Sequence, residues 1–281
     1  MDDQLMFADR SERGKLRFTG EQRGWFLHQI LTQAFEDIAP GESRAAAFIT
    51  AHGRMKAFME AVATEDAILM HFEPELRPTL PDDLARYVFA TRVTIDDVSD
   101  DLGLILVVGK GWRDAAASCA GPIAVQETVS LGPPAGYLWI PRGEVAGAAE
   151  TLRAAGVEEA SEEDLETIRI RNRVPRWGRD MDEKTFPQEA GVDHIAVRYD
   201  KGCYLGQEAM AKIHFRGKPN RRLAALVAAQ PLQPGTPLTL GDQKVGNVTS
   251  VSDEGALALV RYTVGAGSRL DAGGISATVA S

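Results

Sequence analysis

From Arg222 onward the chain is a series of short β-prone runs, Leu223–Ala228, Pro237–Leu240, Lys244–Val251, Ala256–Tyr262 and Ile275–Ala280, separated by Gly, Pro and Asp turns. Runs this short cannot each find a helix or a long strand to cover them. They must satisfy their backbone groups on one another, and about five or six strands do so most economically as a small closed barrel or sandwich. The upstream sequence lacks this texture, so the chain divides into a β-rich C-terminal unit and something else.

The rest alternates strand and helix patterns. Leu16-Arg17-Phe18 reads as a strand, followed by a helix that Thr19 could cap, with Gln22 three residues on and Phe26, Ile30 and Ala34 at helical spacing. Residues 45–72 read as hairpins, Ala45–Thr50 and Met55–Val62 around the turn Ala51-His52-Gly53-Arg54, then Ala67–Phe72. A helix over Pro78–Ala90 and strands over Arg92–Val98 and Leu102–Val108 follow. Further on come a helix near Trp112–Cys119, strands near 123–130 and 136–140, and helices over Arg142–Ala155 and Ser161–Arg173. Ser161 and Asp164 form a capping pair at the start of the last of these.

A chain of 281 residues with 44% hydrophobic residues can bury a sizeable core, and roughly 100–200 residues per domain allows one large or two to three small domains. The net charge of −9 disfavours a global nucleic-acid or anionic-membrane binder, so either role needs a local patch. Two cysteines, Cys119 and Cys203, are too few for a disulfide framework or a four-thiolate cage. The five histidines show no metal-ligand spacing, so no built-in metal is expected. The acidic start Met-Asp-Asp-Gln and the lack of an apolar run near ~18 residues point to a cytoplasmic protein without a membrane span.

The acidic average conceals two basic clusters. Arg169, Arg171, Arg173, Arg176 and Arg179 form one. The second, Lys212, Arg216, Lys218, Arg221 and Arg222, falls in Ala209–Gly241, a stretch free of acids. Between them lies Asp200-Lys201-Gly202-Cys203-Tyr204-Leu205-Gly206-Gln207-Glu208. Gly202 and Gly206 permit tight backbone conformations and close approach. Lys201 and the basic flanks would favour a thiolate at Cys203 if that residue is exposed. Gln207 and Glu208 offer amide and carboxylate groups suited to a heterocycle. Trp177, between Arg176 and Arg179, is a candidate stacking platform. Cys119, in the apolar run Ala115–Ala120, reads as a core residue.

The string Lys201-Gly202-Cys203-Tyr204-Leu205-Gly206-Gln207-Glu208 resembles the signature of the YgfZ-type folate-binding proteins, which assist iron–sulfur cluster maintenance and share the fold of the glycine-cleavage aminomethyltransferases. Phe18-Thr19-Gly20, Leu31-Thr32-Gln33, Thr50–Arg54, Tyr87–Val93, Arg169–Asp180 and His214–Gly217 resemble other parts of that family. The resemblance implies an α+β fold, a three-domain ring around a central channel with a C-terminal β-barrel. It places the domains at 1–45 with 115–208, at 46–114 as an insertion, and at 209–281. It implies tetrahydrofolate or a related folate as ligand, with Gly202, Tyr204, Gly206, Gln207, Glu208, Arg171, Trp177 and Arg216 as binding residues. Cys203 and Lys201 would carry the chemistry. The implied function is that of an accessory factor in iron–sulfur cluster assembly or repair, in transient contact with iron–sulfur proteins. Two departures stand out: Arg171 occupies the position of the transferase carboxylate, and Lys212 that of an arginine. Arg171 weighs against the alternative of a tetrahydrofolate-dependent aminomethyltransferase and leaves enzymatic activity undecided. A non-enzymatic RNA-binding or scaffold role is the third reading.

Overall fold

The computed structural model describes residues 4–280, so the acidic start at Met1–Asp3 lies outside the described residues. In chain order the elements begin with β1 (Met6–Asp9), β2 (Gly14–Thr19), α1 (Arg23–Ile30), β3 (Ser43–Ile49), β4 (Met55–Ala63), β5 (Ala67–Phe72), α2 (Leu80–Ala85) and β6 (Thr94–Asp97). Next come β7 (Leu102–Val108), α3 (Trp112–Ser118), β8 (Ala124–Glu127), β9 (Ala135–Pro141), α4 (Val145–Ala154), β10 (Glu158–Glu159) and α5 (Glu162–Arg171). The short helices α6 (Pro187–Ala190) and α7 (Asp193–Ala196) precede α8 (Gln207–Arg216). The last strands are β11 (Arg221–Ala228), β12 (Pro237–Leu240), β13 (Gln243–Ser252), β14 (Gly255–Arg261), β15 (Arg269–Asp271) and β16 (Ser276–Val279).

The strands form two five-stranded sheets and a closed barrel. The first sheet runs β10-β1-β7-β9-β8, the second β3-β4-β5-β2-β6, and the barrel β11-β14-β13-β12-β15-β16, closed by pairing of β11 with β16. The barrel agrees with the turn-punctuated pattern of the C-terminal sequence, with Arg269–Asp271 as the sixth strand. The membership of the open sheets cuts across the expected boundaries at 45/46 and 114/115. β2 pairs with β5 and β6, and β1 pairs with β7. The chain therefore crosses from the first sheet to the second after Asp9 and returns after Asp97.

That double crossing is held by buried polar groups. Lys15 is fully buried, and its Nζ donates to the carbonyls of Ser11 (2.8 Å) and Arg13 (2.7 Å). Ser11 Oγ accepts from Leu104 N at 3.1 Å, and Ser99 Oγ from Lys15 N at 2.8 Å. These bonds satisfy backbone groups that would otherwise be stranded between two sheets.

One face of the first sheet packs Phe7, Ile105, Leu138 and Ile140 against α3 and α4. Its other face packs Leu104, Leu106, Tyr137 and Trp139 against Val62 and Leu69 of the second sheet and Leu165 and Ile168 of α5. The second sheet buries Leu16, Phe18, Phe48 and Met59 together with Phe26 and Leu27 of α1 and Met210 of α8. Each such side chain, fully buried, contributes roughly 1.5–3 kcal/mol. Two local expectations shift. Thr19 stays in β2, paired with Ala67 and Thr94, and α1 starts after Gln22, whose Oε1 accepts from Arg92 N at 2.7 Å. The helix expected over Pro78–Ala90 is confined to α2. No helix among the described residues is long and apolar enough to cross a membrane.

Candidate functional site

The 200–208 segment sits at the C-terminal end of α1. The last carbonyls of a helix have no partner within it, and a lysine ammonium suits them in both charge and donor number. Lys201 Nζ donates to Leu31 O at 2.6 Å, to Gln33 O at 3.0 Å and to His28 O. It also lies 4.7 Å from the centroid of the Tyr204 ring. Leu31-Thr32-Gln33 completes the anchor from the other side: Thr32 Oγ1 lies 2.6 Å from Ala196 O, and Gln33 Nε2 donates to Ile195 O at 3.1 Å. One of the segments that resemble the family's N-terminal region thus bonds Lys201 through the Leu31 and Gln33 carbonyls and holds residues 195–196 through the Thr32 and Gln33 side chains.

Gly206 precedes α8 with φ of 80°, a conformation that glycine tolerates and other residues rarely adopt. A Cβ there would run into the Thr50 carbonyl and Ile49. Gly202 is exposed, and a Cβ on it would meet nothing closer than His28 Nε2 at 4.0 Å. The two glycines therefore differ: Gly206 is needed by the backbone and Gly202 is not. Gln207 N donates to Tyr204 O at 3.2 Å, and its side-chain amide to Lys201 O at 3.4 Å. The Tyr204 ring is buried, its hydroxyl has no hydrogen-bond partner among the described residues, and burial pushes its pKa up to about 12.

On this anchored loop Cys203 is an exposed free thiol, whereas Cys119 is buried, with Sγ 3.7 Å from Ala148 O and its pKa raised by burial. Lys201 corrects the expected electrostatics. Its ammonium is aimed at three carbonyls, and burial draws its pKa down to about 7 while Glu36 pulls the other way. It is a structural anchor of the loop. Glu208 is exposed and pairs with Lys212 one turn along α8 at 2.7 Å, so it faces solvent. His214 stacks on Tyr199 with ring centroids 3.7 Å apart, and Phe215 and Arg216 stand exposed at the end of α8.

The other expected binding residues lie elsewhere. Arg171 forms an ion pair with Glu254 of the barrel, Nε to Oε2 at 2.5 Å. Trp177 is 5% exposed, packed in the core of the second sheet. It also lines a cavity of about 50 Å³ where the two open sheets, α5 and the 175–181 segment meet. None of the residues 200–208 lines that cavity.

Two members of the first basic cluster, Arg169 and Arg176, are absorbed around this central space. Arg169, 3% exposed, donates through Nε to Glu166 (2.6 Å) and through Nη1 to Asp180 (2.8 Å). Arg176 bonds Glu73 (3.1 Å), Glu166 (3.0 Å) and Glu162. Arg13 pairs with Glu73 and donates to His71 Nδ1 at 2.9 Å, and Arg10 pairs with Glu162. Against burial, which pushes upward, Arg13 and Arg176 hold Glu73 below the usual carboxylate range. The expectation of free cations awaiting an anionic ligand fails here because the acids of α5, Asp180 and the distant Glu73 meet them. Asp180 joins this lattice to the barrel, accepting from Ser250 Oγ at 2.8 Å and from Thr249 Oγ1.

A pocket that encloses a metabolite-sized ligand spans about 300–1,000 Å³. The central cavity is far smaller, and the four arginines on its wall are each matched to a carboxylate. As these side chains stand, a folate does not fit at the centre.

Comparison with known proteins agrees with this architecture. Residues 220–281 match the family model described as the CAF17 C-terminal β-barrel domain. A chloroplastic protein of Arabidopsis thaliana named as a transferase is 25% identical over 89% of this chain, which spans 62% of that relative's length. The tRNA-modifying protein YgfZ of Colwellia psychrerythraea is 24% identical, with 79% of this chain and 72% of the relative covered. An iron–sulfur cluster assembly factor IBA57 homolog of Mycosarcoma maydis is 27% identical over 64% of this chain and 45% of the relative. Among solved structures, the glycine cleavage system aminomethyltransferase T of Bartonella henselae superposes with a TM-score of 0.87 at 17% identity, covering 99% of this chain and 86% of that one. With a barrel that matches the CAF17 C-terminal model and the aminomethyltransferase fold throughout, the chain is similar to YgfZ-type proteins.

Proposed function

We propose that the chain is an accessory factor in iron–sulfur cluster assembly or repair that acts through the thiol of Cys203. The observation that carries this reading is the placement of that thiol. It is exposed, on a loop whose neighbouring side chains, Lys201 and Gln207, are committed to holding the backbone in position. A positioned, accessible sulfur can act as a nucleophile or as a single soft ligand. The second cysteine is buried, so the chain alone lacks the four thiolates of a held cluster. One thiol presented at a surface suits a transient role on a client protein. Relatives named as an iron–sulfur cluster assembly factor and as tRNA-modifying proteins support a role of this kind.

The transferase reading has less behind it. Arg171, at the position of the transferase carboxylate, is spent on Glu254, and the central cavity has no room for a folate. Tetrahydrofolate is the small molecule that the family resemblance implies, and no step of the proposed role is routed through it. The test is complementation of cells lacking the native protein with Cys203→Ser at matched abundance, reading the activities of cluster-dependent enzymes. The expected result is activity at the level of the deletion. Full restoration by Cys203→Ser would remove the thiol from the mechanism.

A further inference from the structure

A second cavity differs from the central one in both size and charge. It measures about 720 Å³, within the range of ligand pockets, and lies between the 178–185 segment and the barrel strands β13 and β14. Its barrel wall follows from the strand register. Asn247 faces Leu259 across the β13–β14 pair, and Arg261, two residues beyond Leu259, lies on the same side of its strand. Thr249 continues that face, and Lys244 stands at the start of β13. The opposite wall carries Arg179.

The centre of the molecule pairs its arginines with carboxylates, whereas this cleft does so for one of its four cations. Among the described residues Arg179, Lys244 and Arg261 have no ion-pair or hydrogen-bonded side-chain partner, and all three are exposed. A fourth cation, Arg221, is held by Glu189 at 2.8 Å. The acidic groups on the wall are two. Asp180 is buried and committed to Arg169, Thr249 and Ser250. Asp182 accepts from Lys184 N and Thr185 Oγ1. The cleft thus carries a positive excess in a chain of net charge −9, together with the neutral side-chain amides of Asn220 and Asn247.

We propose that this cleft is the binding site for a small polyanion, a metabolite-sized molecule carrying at least two carboxylate or phosphate groups. Two acidic groups are required because the free cations stand on two walls, and one group satisfies only one of them. A guanidinium offers paired donors to either chemistry, and the ammonium adds a point charge. The site is independent of the Cys203 loop, since none of residues 200–208 lines it.

The test is calorimetric titration of the full chain with sodium triphosphate and, separately, with tricarballylate, at low and physiological salt. The expected result is saturable one-to-one binding of at least one anion. Lys244→Glu or Arg261→Glu should weaken it about tenfold or more, the loss of one charge-assisted contact. Arg269→Glu, an exposed cation on β15 outside the cleft, should leave it unchanged. Binding of triphosphate alone assigns a phosphorylated ligand, binding of tricarballylate alone a polycarboxylate. Absence of binding by both, or an equal loss in Arg269→Glu, overturns the site. So does a single-stranded oligonucleotide that binds with a salt slope of several phosphates where triphosphate fails, which would reassign the surface to nucleic acid.

Discussion

Replacing Asp180 by Asn tests whether the buried ion lattice fastens the barrel to the rest of the molecule. Asp180 is 1% exposed and accepts from Arg169 Nη1 (2.8 Å), Ser250 Oγ (2.8 Å), Arg176 N (3.1 Å) and Thr249 Oγ1. Asparagine keeps the size, but one of its two terminal atoms becomes a donor pointed at donors. Among the described residues Arg169 then retains Glu166 as its one carboxylate partner. Breaking a buried pair by removing one partner costs about 3–5 kcal/mol. The surviving Glu166 contact places the expected loss near the lower end, ~3 kcal/mol. At roughly 2–4 °C per kcal/mol for a unit of this size, the first thermal transition should fall by about 6–12 °C. Ser250→Ala removes a hydroxyl bonded to Asp180 and Arg169 but leaves their ion pair intact, and should cost about 1.5 kcal/mol, the lower end for hydrogen bonds to charged groups. Circular dichroism melts of both variants read the difference. A drop below about 2 °C for Asp180→Asn, or an equal drop for Ser250→Ala, would show that the carboxylate is not what ties α5 to β13.

Three further outcomes follow from the same geometry. Gly206→Ala should destabilise by at least the ~1–3 kcal/mol of a forced left-handed residue, because its Cβ also meets the Thr50 carbonyl, while Gly202→Ala should stay within about 0.5 kcal/mol; urea midpoints decide it. His71 is fully buried, and desolvation, reinforced by Arg13, lowers its pKa well below 6.5. The unfolded chain therefore binds the proton first, and stability should be lost as pH falls below about 6.5. His71→Asn should flatten that part of the profile, and an unchanged slope between pH 7.5 and 5.5 would contradict it. Lys201, drawn down to about 7, behaves in the same sense at higher pH: the unfolded chain holds its proton up to about 10.5, so stability should rise between those values, and Lys201→Met should lack the rise in denaturation curves.

What could be read from sequence depended on whether the deciding contact was local. The barrel was legible because its turns and short runs carry their own pairing instructions, and the Ser161–Asp164 capping box forms as its spacing implies. The motif loop was legible as a unit through its glycines and thiol, and Cys203 is indeed exposed while Cys119 is buried. The charge balance was not legible. Arg176 reaches Glu73, 103 residues away, besides Glu162 and Glu166 nearby, and Arg171 reaches Glu254, 83 residues away, so a local run of arginines looks unmatched when the fold neutralises it. Lys201 misleads for a related reason: its closest groups are carbonyls of α1, and a backbone acceptor leaves no trace in side-chain composition. The same logic singles out Arg179, Lys244 and Arg261. A cation acquires a functional meaning only after the fold has offered every carboxylate to it, and these three stand on a cleft wall where no carboxylate of the described residues pairs with them.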